Sequence, residues 1–198
     1  MKKIIKKVSI IFMLVATSFN FVVANENILS IGSENAKVTV KVFSSLTCPH
    51  CANFHNNIFE DLKKEYIDTK KVKFEHHSFP LDLAALNAEL VIRSIENKEK
   101  SFQFLNKIYE KQNQWAIGSD INIINNYIKK IGIEFGLNNE RMDKFIKDEK
   151  IQDQILNERI NAQKNYKISS TPTIFINEKK YEGKHEFKAF KKALDKII

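Results

Sequence analysis

Two cysteines occur in the 198-residue chain, and they fall together as Cys48-Pro49-His50-Cys51. Thiols separated by two residues meet where a helix begins, because its first turn brings positions i and i+3 onto one side. The free backbone N–H groups and the macrodipole at a helix start favour negative charge. Cys48 is therefore expected to be the exposed, ionised thiol, with Cys51 one turn inward. A protonated His50 would add a cation beside the same thiolate, and Pro49 suits a first helical position, where its missing N–H is not needed. The chemistry such a pair can perform is thiol–disulfide exchange, in which Cys48 attacks and Cys51 resolves the mixed disulfide.

Other uses of the pair stay open on spacing alone. A structural staple closing so short a loop contributes only about 2 kcal/mol in the chain-entropy model. Half of a zinc site would need two more ligands, for which His55, His76 and His77 are the candidates. His55 lies seven residues past Cys48, broadly on the same side of the helix, and reads as an exposed polar residue. His76 and His77 fall in an extended stretch, as solvated or hydrogen-bonded side chains.

The elements that must hold the dithiol are legible as changes of period. Before it, Val38, Val40 and Val42 alternate with Lys37, Thr39 and Lys41, which predicts a strand with the valines on one face. After it, Cys51, Phe54, Ile58, Leu62 and Tyr66 recur at three- and four-residue steps and predict a helix. A second extended stretch runs from Lys71 to Phe79 and stops at Pro80. From Leu83 to about Asp148 the pattern is helical: Phe102, Leu105, Ile108 and Tyr109 form one apolar stripe, and Ile121, Ile124, Tyr127 and Ile131 another. Asn138 or Asn139 caps a helix carrying Met142, Phe145 and Ile146. A further helix, about Glu149 to Asn165, leads to the strand Thr171-Pro172-Thr173-Ile174-Phe175-Ile176. Asn177 to Lys180 is expected as a turn, and Tyr181 as a short antiparallel strand. Phe187, Phe190, Leu194 and Ile197 mark the apolar face of a closing helix. The stripes are what burial alone demands.

Composition narrows the class. The chain is 43% hydrophobic and 28% charged, with 5 glycines and 3 prolines, which excludes collagen-like and Pro-rich disordered chains and fits one ordinary globular domain. The formal net charge of +8 would suit a nucleic-acid binder. However, Lys2, Lys3, Lys6 and Lys7 stand directly before the apolar run Val8 to Val23, the pattern of a secretory signal. Cleavage after Ala24 would remove those lysines and halve the net charge, so no nucleic-acid partner is expected. The alternative is an uncleaved anchor, against which the run is short and contains Asn20.

Ser45-Leu46-Thr47-Cys48-Pro49-His50-Cys51-Ala52-Asn53-Phe54-His55, with Phe79-Pro80-Leu81-Asp82 and Thr171-Pro172-Thr173, resembles the bacterial DsbA-like thiol:disulfide oxidoreductases over essentially the whole mature chain. The resemblance implies an α/β thioredoxin fold, a central mixed β-sheet flanked by helices, interrupted by an all-helical insertion. Residues 25–82 and 149–198 would form the thioredoxin-like part, 83–148 the insertion and 1–24 the signal peptide. A cis peptide before Pro172 would lie beside the dithiol, with Thr171 offering backbone groups to an extended substrate. The implied function is that of a periplasmic, monomeric dithiol oxidase whose Cys48–Cys51 disulfide is the redox centre, with no cofactor or metal. It would introduce disulfides into reduced or unfolded exported proteins and be reoxidised by a DsbB-like membrane partner. A disulfide isomerase or reductase of the same fold is the alternative. A redox-inert chaperone or metal-binding module is a third reading. In this family a nucleophile with a pKa of about 3.5, against about 7 in thioredoxin, stabilises the reduced form by roughly 4 kcal/mol at pH 7. That is about 95 mV of a potential gap of roughly 150 mV.

Two positions depart from the family. Many relatives carry a buried acid six residues before the first cysteine, where this chain has Val42, so water or another group would have to move the proton during resolution. Thr171 replaces the valine of the best-known oxidase and also occurs in isomerase and reductase relatives, which points to a less oxidising potential.

Overall fold

The computed structural model describes residues 28–198, so the expected signal segment and its cleavage after Ala24 lie outside the described residues. The alternating valines do form a strand, β2 (Val38–Ser44), with Val38, Val40 and Val42 buried on one face. Strand β3 (Val72–Ser78) runs parallel to it, Val38 opposite Val72 and Ser44 opposite Ser78. Parallel neighbours need a crossover, and the helical stretch after the dithiol supplies it. Strand β4 (Thr173–Ile176) pairs antiparallel with the other edge of β2. A short strand not anticipated from sequence, β1 (Leu29–Gly32), lies antiparallel on β3. The hairpin after β4 is tighter than expected. Its turn is Asn177-Glu178, with Asn177 at φ 53°, the paired residues are Lys179–Lys180 (β5), and Tyr181 follows the strand. The mixed sheet has the order β1-β3-β2-β4-β5.

The helix expected after Cys48 is present, but its winding is uneven. Helix α1 (Pro49–Phe54) passes into a π turn at His55–Phe59, then α2 (Glu60–Leu62), then a second π turn at Lys63–Ile67. Cys51, Phe54, Ile58, Leu62 and Tyr66 are all buried as their spacing requires. Because each π turn adds a residue to the turn, the buried stripe widens to include His55, Phe59 and Ile67. His55 is therefore not the exposed residue that a regular helix predicts. Its ring stacks on Phe59 with centroids 4.4 Å apart, and Nε2 lies 2.6 Å from Asn106 Oδ1.

Between β3 and β4 come α3 (Leu83–Arg93), α4 (Lys98–Glu110), α5 (Gln112–Trp115), α6 (Ile121–Glu134), α7 (Asn139–Ile146) and α8 (Glu149–Asn165). Asp82, Asn97, Asp120, Asn138 and Asp148 cap α3, α4, α6, α7 and α8 by accepting a backbone N–H in the first turn. On α6 the buried stripe is Ile124, Ile128 and Ile131; Tyr127 instead faces solvent, since Ile128 occupies the core position one residue on. The closing helix α9 (Phe187–Leu194) buries Phe190 and Leu194, while Ile197 lies beyond its end and is exposed.

Both sheet faces are covered. Val40, Val42 and Phe74 share one continuous core with Phe59, Phe102 of α4, Ile128 of α6 and Phe190 of α9. On the opposite face, Phe43, Phe79 and Phe175 pack with Ala162 of α8 and Ile168. Among the described residues no helix is long and apolar enough to cross a membrane.

Candidate active site

Cys48 is the N-cap of α1, with extended φ and ψ of −77° and 119°, and Pro49 occupies the first helical turn. The N–H groups of Cys51 and Ala52 both reach Cys48 O at 3.1 Å, which starts the helix at the sulfur. Gln112 of α5 clamps the approach loop, its Nε2 donating to Leu46 O at 2.7 Å and Cys48 O at 3.0 Å. From the other side, Asp82 accepts the Thr47 hydroxyl at 2.7 Å while capping α3. Both cysteines are free thiols in this structure. The Thr171–Pro172 peptide is cis, and Thr171 O lies 3.4 Å from Cys48 Sγ. Cys48 is only 7% exposed, so the nucleophile is buried rather than open as the sequence suggested, and Cys51 is 1% exposed.

The two sulfurs are electrostatically opposite. The Cys51 thiol donates to Cys48, which more than offsets the penalty of burial. With the Thr171 hydroxyl and the N–H groups of Cys51 and His50, it pulls the Cys48 thiol down to about 5. Burial, and then the neighbouring Cys48 charge, push Cys51 far above the thiol range. One sulfur is an anion and the other holds its proton. His50 contributes to this through its backbone N–H, and its imidazole is exposed. The Thr171 hydroxyl is buried without another hydrogen-bond partner, which leaves it free to face the sulfurs.

A nucleophilic N-cap cysteine, its protonated partner one turn on and a cis-proline loop against the sulfur form one constellation on a mixed sheet. A family model described as thioredoxin matches residues 24–196. The crystal structure of Wolbachia pipientis alpha-DsbA1 is similar at a TM-score of 0.79, with 29% identity over 87% of this chain and 91% of that one. The chain belongs to the thioredoxin family, on its DsbA-like side. Disulfide bond formation protein D of Bacillus subtilis is 29% identical over 85% of this chain and 76% of its own length. A Rickettsia prowazekii protein provisionally named a protein-disulfide oxidoreductase is 30% identical over 88% of this chain. The chain spans 62% of that protein and 66% of its Rickettsia bellii counterpart.

This DsbA-like chain brings Cys48, Pro49, His50, Cys51, Thr171 and Pro172 to one place. The three histidines considered as zinc ligands each have a different partner. His55 bonds to Asn106, His77 Nε2 lies 3.0 Å from Glu75, and His76 Nε2 lies 2.8 Å from Glu89. Sequence reasoning missed Gln112 and Glu89. Glu89 had a readable signal, because it shares the apolar face of α3 with Ala85, Ala88 and Ile92, where a carboxylate needs a partner. Gln112 had none, since its contacts are to backbone atoms 66 and 64 residues away.

Proposed function

We propose that the protein is an exported thiol:disulfide oxidoreductase working as a dithiol oxidase on reduced, unfolded proteins. The observation that carries this reading is the depressed pKa of Cys48, about 5, beside a protonated Cys51. A dithiol whose reduced form is stabilised holds electrons readily and is an oxidant of other thiols. A client thiolate attacks Cys48 Sγ of the disulfide form, the Cys48–Cys51 bond breaks, and Cys51 leaves and is protonated. A second client thiolate then attacks the client sulfur of the mixed disulfide and expels Cys48 as its stable thiolate. Two electrons have passed to the protein, and the client carries the new bond. Regeneration runs the same chemistry on the disulfide of a DsbB-like membrane reoxidant, and there Cys51 resolves the mixed disulfide by attacking Cys48 Sγ.

The client would lie in the open depression beside the dithiol, between Thr47, Asp82 and Leu83 on one side and Gly118 and Ile121 on the other. Leu81, Leu83 and Ile117 are exposed nearby in the sequence of its walls and suit unfolded apolar chain. Thr171 favours the second reading, an isomerase or reductase kept reduced by a membrane donor. Equilibration with glutathione, together with oxidation of a reduced, unfolded test protein, decides between them. The oxidase reading expects a potential well above the roughly −270 mV of thioredoxin, and client oxidation that Cys48→Ser abolishes. A potential as low as thioredoxin's, with no net client oxidation, overturns it.

A further inference from the structure

Cys51 must lose its proton to attack a mixed disulfide and regain one when it is expelled, yet it is 1% exposed. Val42 of β2, six residues before Cys48, can accept no proton, so another group must take it. A continuous polar path runs through the described interior, and assigning it a role rests on the exchange chemistry proposed above. Tyr109 OH donates to Ser44 Oγ at 3.1 Å, Ser44 Oγ lies 3.2 Å from His76 Nδ1, and His76 Nε2 lies 2.8 Å from Glu89 Oε1. All four side chains are buried. His76 is the register partner of Val42 across the β2–β3 ladder, so the path passes directly beside the missing acid.

We infer that the buried chain Tyr109–Ser44–His76–Glu89 is the proton relay of Cys51. Its hydrogen bonds are oriented for this task. With Glu89 ionised and accepting from His76 Nε2–H, Nδ1 is left as the acceptor for the Ser44 hydroxyl, which in turn accepts from Tyr109. Tyr109 and Cys51 belong to the same buried core, and the phenol is near enough for both cysteine charges to raise it. In the resting dithiol the Cys51 proton is directed at Cys48, and the Ser45 N–H and Thr171 hydroxyl, which can only donate to or share a proton with the sulfur, are its other polar neighbours. Once Cys48 Sγ is bonded to a client or partner sulfur it is no longer an anion, and the Cys51 S–H is released to another acceptor. The proton passes from Cys51 to Tyr109 as the phenol proton moves to Ser44 and the Ser44 proton to His76 Nδ1. Cys51 becomes the attacking thiolate, and the product is a His76 imidazolium paired with the Glu89 carboxylate.

Glu89 is fit to hold that charge. Burial alone would push its carboxyl up, but His76, Arg93 and the Ser78 hydroxyl hold it below the ordinary range. The other groups facing His76 are His55 on the first π turn, His77 on β3 and Glu158 on α8. Burial holds His55 down at about 3, so it remains neutral and does not compete for the proton.

The test is stopped-flow mixing of the reduced protein with the aromatic disulfide DTNB, followed by absorbance. Cys48 thiolate attacks and expels one aryl thiolate, the first phase; Cys51 then attacks Cys48 Sγ and expels the second, closing the protein disulfide. Tyr109→Phe and Glu89→Gln are expected to keep the first phase and slow the second by roughly a hundredfold at pH 7, a typical general-base contribution. The second phase of the parent is expected to be flat between pH 6 and 8, whereas in the variants it rises with hydroxide. Tyr109→Phe removes a single hydroxyl, so it decides the matter if Glu89→Gln does not fold. A slowing of less than about tenfold in folded Tyr109→Phe, with an unchanged pH profile, overturns the relay while leaving the exchange chemistry intact. Absence of the second phase in the parent itself removes both.

Discussion

A thiol that titrates at about 5 is almost wholly ionised at pH 7, whereas an ordinary cysteine is a few per cent thiolate. The thiolate absorbance of the reduced protein at 240 nm is expected to rise with a midpoint near pH 5, and a midpoint in the ordinary range near 8.5 would remove the basis of the oxidase reading. The largest stabiliser of that anion is the Cys51 thiol. Cys51→Ala should therefore move the midpoint upward by more than any change of the exposed His50 ring, a comparison read from the same titration. At this scale the nucleophile and its partner were legible because two cysteines at this spacing have few alternative uses, whereas the cis-proline was legible only through the family resemblance. The burial of Cys48 was not, since Thr171, which lies against its sulfur, is 123 residues away.

The strands and helices around the dithiol differ in how plainly they announce themselves. Strand β2 and helix α8 match their periodic patterns, because alternation and capping are local. Strand β1 was missed: it is four residues long, ends at Gly32, and owes its existence to the edge of β3. The two π turns were missed for a different reason, since an inserted residue shifts the helical phase without leaving a signature of its own, and this is why His55 was misplaced. Asp82 joins two elements at once, capping α3 and holding Thr47 of the approach loop. Asp82→Ala is expected to destabilise the fold by about 1 kcal/mol, the usual worth of an N-cap, measurable by urea unfolding. The same change should quicken hydrogen exchange in the loop before Cys48. A variant as stable as the parent would show that the cap is redundant.

The larger core holds the dithiol together with the sheet and helices α3 to α7 and α9, so redox state and stability are linked through it. The Cys48 pKa is depressed from 9.0 to about 5 in the folded protein. Its ionised form thus stabilises the reduced fold fully above about pH 9, progressively less between 9 and 5, and not at all below 5. The melting temperature of the reduced form relative to the oxidised form should accordingly rise from pH 4.5 to pH 8; a constant difference would contradict the depressed pKa. Phe102 connects the helices to the sheet, lying 6.0 Å from Phe59 and 6.1 Å from Phe74. Phe102→Ala is expected to lower stability by about 3–5 kcal/mol in denaturant titration. The far rim of the sheet has a bearing on company as well as on folding. Strand β5 is two lysines long and both are exposed, so an extended chain arriving at that rim finds no row of vacant amides to zip onto and meets positive charge instead. A rim closed in this way guards the molecule against strand-on-strand clumping with its neighbours.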